Sequence, residues 1–553
     1  MSYKEKIQLE IKKVLSDNGT STNPLIERTK LKQHGDVATN IAMVLAKELK
    51  KNPLDIANEI KDKVKSSTDL LSHIEVAKPG FINMTVSDCA LAESLSEVHR
   101  QENTFGFAPT KSKGKVLVEY VSANPTGELH LGHGRQAAIG SCLVNLLEAA
   151  GFETISEFYI NDYGEQIQKL SDTAFAIYKK TKGETVEWKE DFYPEEGISP
   201  YIKKILENKK DSSRDELGQE VKNLILKSQE NLLSSCKVTF NKWFSETELH
   251  KNKSVDEVLK KLKDSNWTYE DEGALWFKAK EFGDVRDRVL VRSDGRPTYL
   301  VADIAYHINK LNRSNFLVTI WGADHHGQEI SLKGGLKALG YDVSKLEIIF
   351  VQLVSLKKDG QEVKMSKRAG AVITVKELLN EVGPDAFRYF LSESHPDHRM
   401  VFDVDLAKKQ DKDNPVYYIQ YAHARCCSIF RQIGQAETKI DIEEFKKSVF
   451  KKFDPLMEIF KANNNEYAAT KDLILRILDF PEEVENAAIT RSPSRIANYL
   501  KDLATEFHQF YTVCRVISNN SELTKARLML VEAVKITIAN GLKILGITAP
   551  ESM

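Results

Sequence analysis

The sequence predicts a multidomain α/β fold, and three observations carry the prediction. A β-branched apolar stretch, Val116 to Val121, leads through a Pro/Gly-bearing loop into an apolar helical face and then a second strand-like stretch, Thr154 to Ile160. Strand, helix and strand in about 45 residues is the unit of a buried parallel sheet, so this region reads as Rossmann-like. From about residue 415 onward the pattern is helical throughout, and 553 residues exceed what one hydrophobic core holds.

The elements follow in order. Ile7, Ile11, Val14 and Leu15 share one helical face, as do Ile41, Val44, Leu45 and Leu49, while Gly80 to Val86 alternates like a strand. These define an N-terminal α+β domain, residues 1–112, closed by the polar link Thr110 to Lys115. The Rossmann-like parallel-sheet domain is expected over residues 113–405. Its first helix carries Ile139, Cys142, Leu143, Leu146 and Leu147 and stops near Gly151. A charged, largely helical insertion is expected over about 165–280, for example Tyr201 to Glu230. Strands resume at Phe316–Trp321 and Leu346–Val351. Residues 406–553 form an all-α bundle, with one stripe through Leu500, Leu503, Phe507 and Tyr511 and another through Leu530, Val534, Ile538 and Leu542.

Composition narrows the function. Seventy-eight Lys and Arg against 80 Asp and Glu leave a net charge of −2, so a nucleic-acid partner requires cations gathered on one face. No apolar run approaches the roughly 20 residues that span a bilayer. Met1 to Asp17 lacks a signal core and carries Glu5, Glu10 and Asp17, unlike a mitochondrial presequence. Six cysteines without paired spacing fit a reducing compartment and provide neither a disulfide framework nor a zinc site. A cytoplasmic protein without a membrane partner or a resident metal is expected.

Two short motifs carry the chemistry. His130-Leu-Gly-His133 falls where the first strand turns into its helix, so two imidazoles and the free amides of a helix start can meet a phosphate. Gly132 lets a flat base approach the backbone. Lys364-Met-Ser-Lys-Arg368 follows a hairpin-like Lys357-Lys-Asp-Gly360 and precedes Ala369-Gly370, placing cations for a triphosphate tail on a small-residue loop. Either string alone is as compatible with polar loop histidines or a solvated basic loop. In this order, about 230 residues apart, the pair is far more specific.

With both motifs present the chain resembles the class I aminoacyl-tRNA synthetases. Within that class Val118-Glu-Tyr-Val-Ser-Ala-Asn-Pro-Thr-Gly-Glu-Leu-His130 is similar to the arginyl-tRNA synthetase signature. So are Trp321 to Gly327, Tyr417 to Arg425, the ending Leu545 to Met553, and Gly35 to Asn40 in the first domain. The likeness runs from about residue 30 to the C-terminus and thins between 180 and 265. Arg368 stands where the class pattern has serine, while both lysines of that motif are kept.

The resemblance implies an arginine–tRNA ligase that uses ATP, with Mg²⁺ travelling on the nucleotide, L-arginine as substrate, tRNA(Arg) as partner and a monomer as the assembly. It implies His130, His133, Lys364 and Lys367 as catalytic residues. For arginine it implies Glu119, Ser122, Asn124, Tyr299, Asp303 and Asp324, with Asp303 at the guanidinium and Glu119 and Asn124 at the α-amino and carboxylate end. A planar guanidinium wants carboxylates arranged for paired hydrogen bonds. ATP would meet His130, Gly132, His133, His326, Met365, Ser366 and Lys367. Asp324 and His326 would line the crevice, and His325 would be structural because adjacent histidines on a strand face opposite ways. For tRNA it implies Phe81 and Asn83 in the first domain and Tyr417, Tyr421 and Tyr511 in the bundle, with Tyr418 a further stacking surface. Read alone, Glu119 is equally a strand-end ion pair, Tyr299 and Asp303 a helix-surface pair, and any single tyrosine a core edge. Rival readings are another synthetase, a small nucleotidyltransferase using the same motifs, and a non-catalytic tRNA-binding relative.

Overall fold

In the computed structural model the described residues are 2–17, 20–207, 211–363, 373–435, 454–461 and 463–553. Among them a five-stranded parallel sheet runs in the spatial order Leu346–Val351, Phe316–Gly322, Lys115–Glu119, Glu153–Ile160, Lys242–Ser245. The strand that comes first in the chain lies in the middle. The chain leaves it to one side through Glu153–Ile160 and later returns on the other through Phe316–Gly322. Such a reversal opens a crevice at the carboxyl ends of the strands.

Packing explains why the crevice edge is firm. Helix Leu131–Ala149 lies against the sheet with Ala137, Ile139, Cys142, Leu143 and Leu146 buried. Gly140 permits this approach, because a Cβ there would stand 2.3 Å from the Tyr120 ring. Arg135, wholly buried on the same helix, donates to the carbonyls of Gln352, His395 and His398 and to Ser394 Oγ. One side chain thus ties the first helix of the sheet to the 394–398 loop.

The stretch 165–280 differs from the single helical insertion expected. Helices Glu165–Thr181, Glu195–Leu206 and Arg214–Ser235 do form a separate small core around Leu170, Ile177, Ile202 and Val221. The chain then re-enters the parent sheet as its edge strand Lys242–Ser245 before building an antiparallel sheet, Thr268–Asp271, Ala274–Phe277 and Arg288–Val291. Four residues headed by lysine offer too little alternation to be read as a strand, and a charged head suits a sheet edge.

The N-terminal unit holds a four-stranded sheet, Glu27–Arg28, Val37–Thr39, Phe81–Val86 and Leu71–Ala77, packed by helices Tyr3–Asp17, Ile41–Leu49 and Pro53–Ser67. It is pinned to the C-terminal helices at Asp479, which receives Lys4 at 2.8 Å and Arg28 at 3.2 Å. Those helices include Pro415–Gln435, Asn464–Leu478, Phe480–Ile489, Pro493–Val513 and Ser521–Leu545, and both expected apolar stripes face inward.

Candidate active site

The corner after the central strand carries two unusual backbone conformations. Val121 and Ser122 both have positive φ, 71° and 43°, which costs a β-branched residue on the order of 1–3 kcal/mol. Side-chain bonds hold the corner: Ser122 Oγ donates to Glu119 Oε1 at 2.9 Å and accepts the Tyr159 amide at 3.2 Å. Glu119 is itself buried and receives Lys310 Nζ on its other oxygen at 2.5 Å. Lys310 is fully buried, within 3.1 Å of both Thr319 Oγ1 and His307 Nε2. Sequence reasoning overlooked it, although Tyr299, Asp303, His307 and Lys310 lie at helical spacing within Tyr299–Leu311.

Beside this network lies an acidic slot. Burial first, and then the Glu119 charge, push the Asp303 carboxyl up to about 7 despite Lys310 and His325 nearby. Burial and the Asp303 charge likewise push Glu246 up to about 7, against a hydrogen bond from Tyr159. Glu246 was not among the residues expected. Its signal was faint: a glutamate inside Ser245-Glu-Thr247, where a short aromatic strand ends and helix Glu246–Lys251 begins. Tyr299, 53% exposed, stands at the slot's mouth, where burial and then the charge of Glu246 raise its hydroxyl pKa. Two neighbouring carboxyls held near neutrality by burial form a site that a buried cation would complete.

The imidazole pair sits at the start of helix Leu131–Ala149. His130 is the N-cap, its backbone N–H donates to His133 Nδ1 at 3.3 Å, and the two rings stack at 3.7 Å. That bond leaves the ring proton of His133 on Nε2. Burial and the neighbouring His130 lower the His133 pKa to about 3, so His133 is a neutral N–H donor at any working pH. The 364–368 motif lies outside the described residues, but its flanks do not. Upstream, Val354–Lys358 and Gln361–Val363 form the expected hairpin, with Asp359 and Gly360 both at positive φ as a tight two-residue turn requires. Downstream, Thr374 pairs with His130 in an isolated β-bridge and the Val375 amide donates to Leu129 O at 2.8 Å. The chain just downstream of the second motif is therefore held against the first.

Other expected residues are placed less uniformly. Asp324 is exposed at the rim, its carboxylate folded over Gly322 rather than in the slot. His326 stacks on Phe350 at 3.6 Å beside the crevice. His325 bonds Gln328 at 3.2 Å, but both histidines lie in a 3-10 helix, Ala323–Gln328, so the strand argument that separated them does not apply. Phe81 is 39% exposed, whereas Asn83 is buried with its amide 3.5 Å from His34. In the bundle, Tyr417, Tyr418, Tyr421 and His508 line a cavity of about 390 Å³ together with Asp411 and Lys412. The Arg425 guanidinium lies 4.7 Å from the rings of both Tyr421 and Tyr511.

A parallel sheet with an imidazole pair at its first strand-to-helix corner, a chain joined to that corner at Thr374 and Val375, and a helical C-terminal unit define a class I aminoacyl-tRNA synthetase. Residues 94–422 match the family described as tRNA synthetases class I (R), catalytic domain. Residues 1–86 match the arginyl tRNA synthetase N terminal domain and 419–553 the DALR anticodon binding domain. The chain is 41% identical to the arginine–tRNA ligase of Staphylococcus epidermidis, covering 96% of this chain and 94% of that protein. It is 42% identical to that of Caldanaerobacter subterraneus, covering 96% and 93%. The arginyl-tRNA synthetase structure of Thermus thermophilus superimposes with a TM-score of 0.76 at 25% identity over the whole of both chains. The chain belongs to the arginyl-tRNA synthetase family.

Proposed function

We propose that this arginine–tRNA ligase binds its amino acid with the guanidinium between Asp303 and Glu246 and the α-amino and carboxylate end at Ser122 and Asn124. The observation that carries this reading is the neighbouring pair of the buried Glu246 and the half-buried Asp303, both pushed up to about 7, next to Glu119 at the end of the central strand. Glu119, matched by Lys310 and Ser122, fixes the strained corner that presents Ser122 and Asn124 to the α-amino end. Tyr299 lies over the guanidinium, and Asp324 at the rim meets the substrate's outer edge.

The enzyme activates arginine with ATP and esterifies tRNA. An arginine carboxylate oxygen attacks the α-phosphorus, the bond to the β-phosphate oxygen breaks, and pyrophosphate leaves with the electron pair. His133 Nε2–H and His130 hydrogen-bond the α-phosphate oxygens, on which charge builds, while Lys364 and Lys367 meet the departing pyrophosphate. Gly132, Met365 and Ser366 complete the nucleotide contacts, with His326 against the base. Mg²⁺ enters on the phosphates as part of the substrate. The terminal ribose hydroxyl of tRNA(Arg) then attacks the carbonyl carbon, AMP leaves, and the hydroxyl proton passes to the departing phosphate.

Residues 1–112 are assigned to tRNA contact through the exposed Phe81, Asn83 being buried against His34, and 406–553 to anticodon binding through Tyr417, Tyr421 and Tyr511. Residues 113–405 would carry both chemical steps, and the enzyme would work as a cytoplasmic monomer. No described helix is long and apolar enough to cross a membrane.

The test is pyrophosphate exchange with each of the twenty amino acids, with and without tRNA. Exchange with arginine is expected, and exchange with lysine or glutamate but not arginine would overturn the assignment. pH offers a second check. At pH 6 both slot carboxyls are largely protonated and cannot pair a cation, and arginine binding favours their ionised forms. The arginine KM should therefore fall between pH 6 and 8, by up to about tenfold for each carboxyl titrated, and level off above about 8. A pH-independent KM would contradict the slot.

A further inference from the structure

We propose that helix Arg214–Ser235 positions both walls of the arginine pocket from behind, Gln229 holding the 124–127 loop and Lys222 holding the segment that bears Glu246. The inference rests on the pocket reading above, and it gives part of the 165–280 stretch a role in the reaction.

Gln229 is 3% exposed, and its amide nitrogen donates to Asn124 O at 3.1 Å and Gly127 O at 2.9 Å. Both acceptors are carbonyl oxygens, so the nitrogen end of the amide must face them. The two carbonyls bracket a turn outside any helix or strand, between the strained 121–122 corner and the imidazole pair. A single amide bonded to both carbonyls therefore fixes the 124–127 turn that presents Asn124. Gln229 Oε1 is buried and has no partner among the described residues, so the side chain is held by its donor bonds alone.

Seven residues earlier, two turns along the helix on the same face, Lys222 is buried against Asp162 at 3.0 Å. Asp162 accepts the Thr247 amide at 3.0 Å, Thr247 Oγ1 at 3.0 Å and Ser245 Oγ at 2.8 Å. Burial alone would raise its pKa, but the Thr247 amide and Lys222 outweigh that and hold it ionised. The residues it grips flank Glu246 on both sides. Lys222 thus supplies the countercharge that lets a buried carboxylate clamp the start of the Glu246 helix, and Ile225, buried between Lys222 and Gln229, seats the helix in its own small core.

The full-length enzyme tests this by arginine and ATP KM values and kcat for Gln229→Leu, Gln229→Glu, Lys222→Met and Lys222→Arg, alongside melting temperatures. Gln229→Glu keeps the shape but sets carboxylate oxygens against two carbonyls. We expect Gln229→Glu and Lys222→Met to raise the arginine KM about tenfold or more, Gln229→Leu somewhat less, and the ATP KM to stay within about twofold. Lys222→Arg should keep most of the parent's arginine KM. Should Gln229→Glu fail to fold, Gln229→Leu decides, since it adds no charge. An unchanged arginine KM in folded Gln229→Leu and Lys222→Met, or equal losses for arginine and ATP, would overturn the proposal. Glu246→Gln run in parallel reports on the pocket alone. An unchanged arginine KM there removes the pocket reading and this inference together, whereas a raised one beside unaffected helix variants removes only this inference.

Discussion

Asp303→Asn should raise the arginine KM by roughly 10²–10³-fold while leaving the ATP KM within a few-fold. Truncating one partner of a buried, hydrogen-bonded charge pair costs about 2–5 kcal/mol, and each 1.4 kcal/mol is tenfold in affinity. Asp303 is the right residue to ask, because burial and the neighbouring Glu119 already hold its carboxyl near 7 and the protein gives it no ion pair of its own among the described residues. Lys310, the nearest buried cation, is committed to Glu119. Asparagine keeps the shape and can still accept one hydrogen bond, so the loss reports charge rather than packing. The variant should also flatten the pH dependence of the arginine KM, since one of its two titrating groups is gone. Steady-state pyrophosphate exchange across pH 6–8 measures both effects, and an Asp303→Asn enzyme with parental arginine KM would place the guanidinium elsewhere.

His133→Ala should lower kcat for exchange by about 10²–10³-fold, the range for removing one preorganised donor from a developing oxyanion. Arginine KM should change little, because the proposed mechanism sets His133 against the α-phosphate and the slot carboxyls against the amino acid. The substitution also removes half of the reciprocal cap at the start of Leu131–Ala149, worth on the order of 1 kcal/mol of stability, so melting temperature should fall modestly. With a pKa near 3, His133 contributes no limb to the pH–rate profile above pH 5. Lys367→Ala is expected to fall in the same range through loss of charge opposite pyrophosphate. A kcat unchanged in His133→Ala would remove the imidazole from the chemical step.

Much of the frame was legible because its signals are local. The runs at 316–321 and 346–351 are β-branched and bounded by turns, and the observed strands agree with them to within a residue. Asp359-Gly360 announced its hairpin as one of the few dipeptides that accept positive φ twice. Helices ended near the residues that stop them, as at Gly151. What stayed hidden depends on tertiary contacts. Lys242–Ser245 is a strand because a parent strand lies beside it, not because four residues prefer to be one. Glu246 joins Asp303 only after 56 intervening residues have folded between them. Lys310 went unremarked because nothing near it in sequence announces its partner, Glu119, 191 residues away. The 323–328 segment continued a strand in sequence but closes as a 3-10 helix, which changed the reading of its two histidines.

Arginine and the triphosphate must meet at one rim for the adenylate to form, so the most direct measurement is a structure of the enzyme with arginine and a non-hydrolysable ATP analogue. The expected result is the guanidinium within hydrogen-bond reach of Asp303 and Glu246, with the α-phosphate beside His133 Nε2 and the β- and γ-phosphates at Lys364 and Lys367. Arginine bound away from Asp303 and Glu246, or a triphosphate out of reach of His130 and His133, would contradict it.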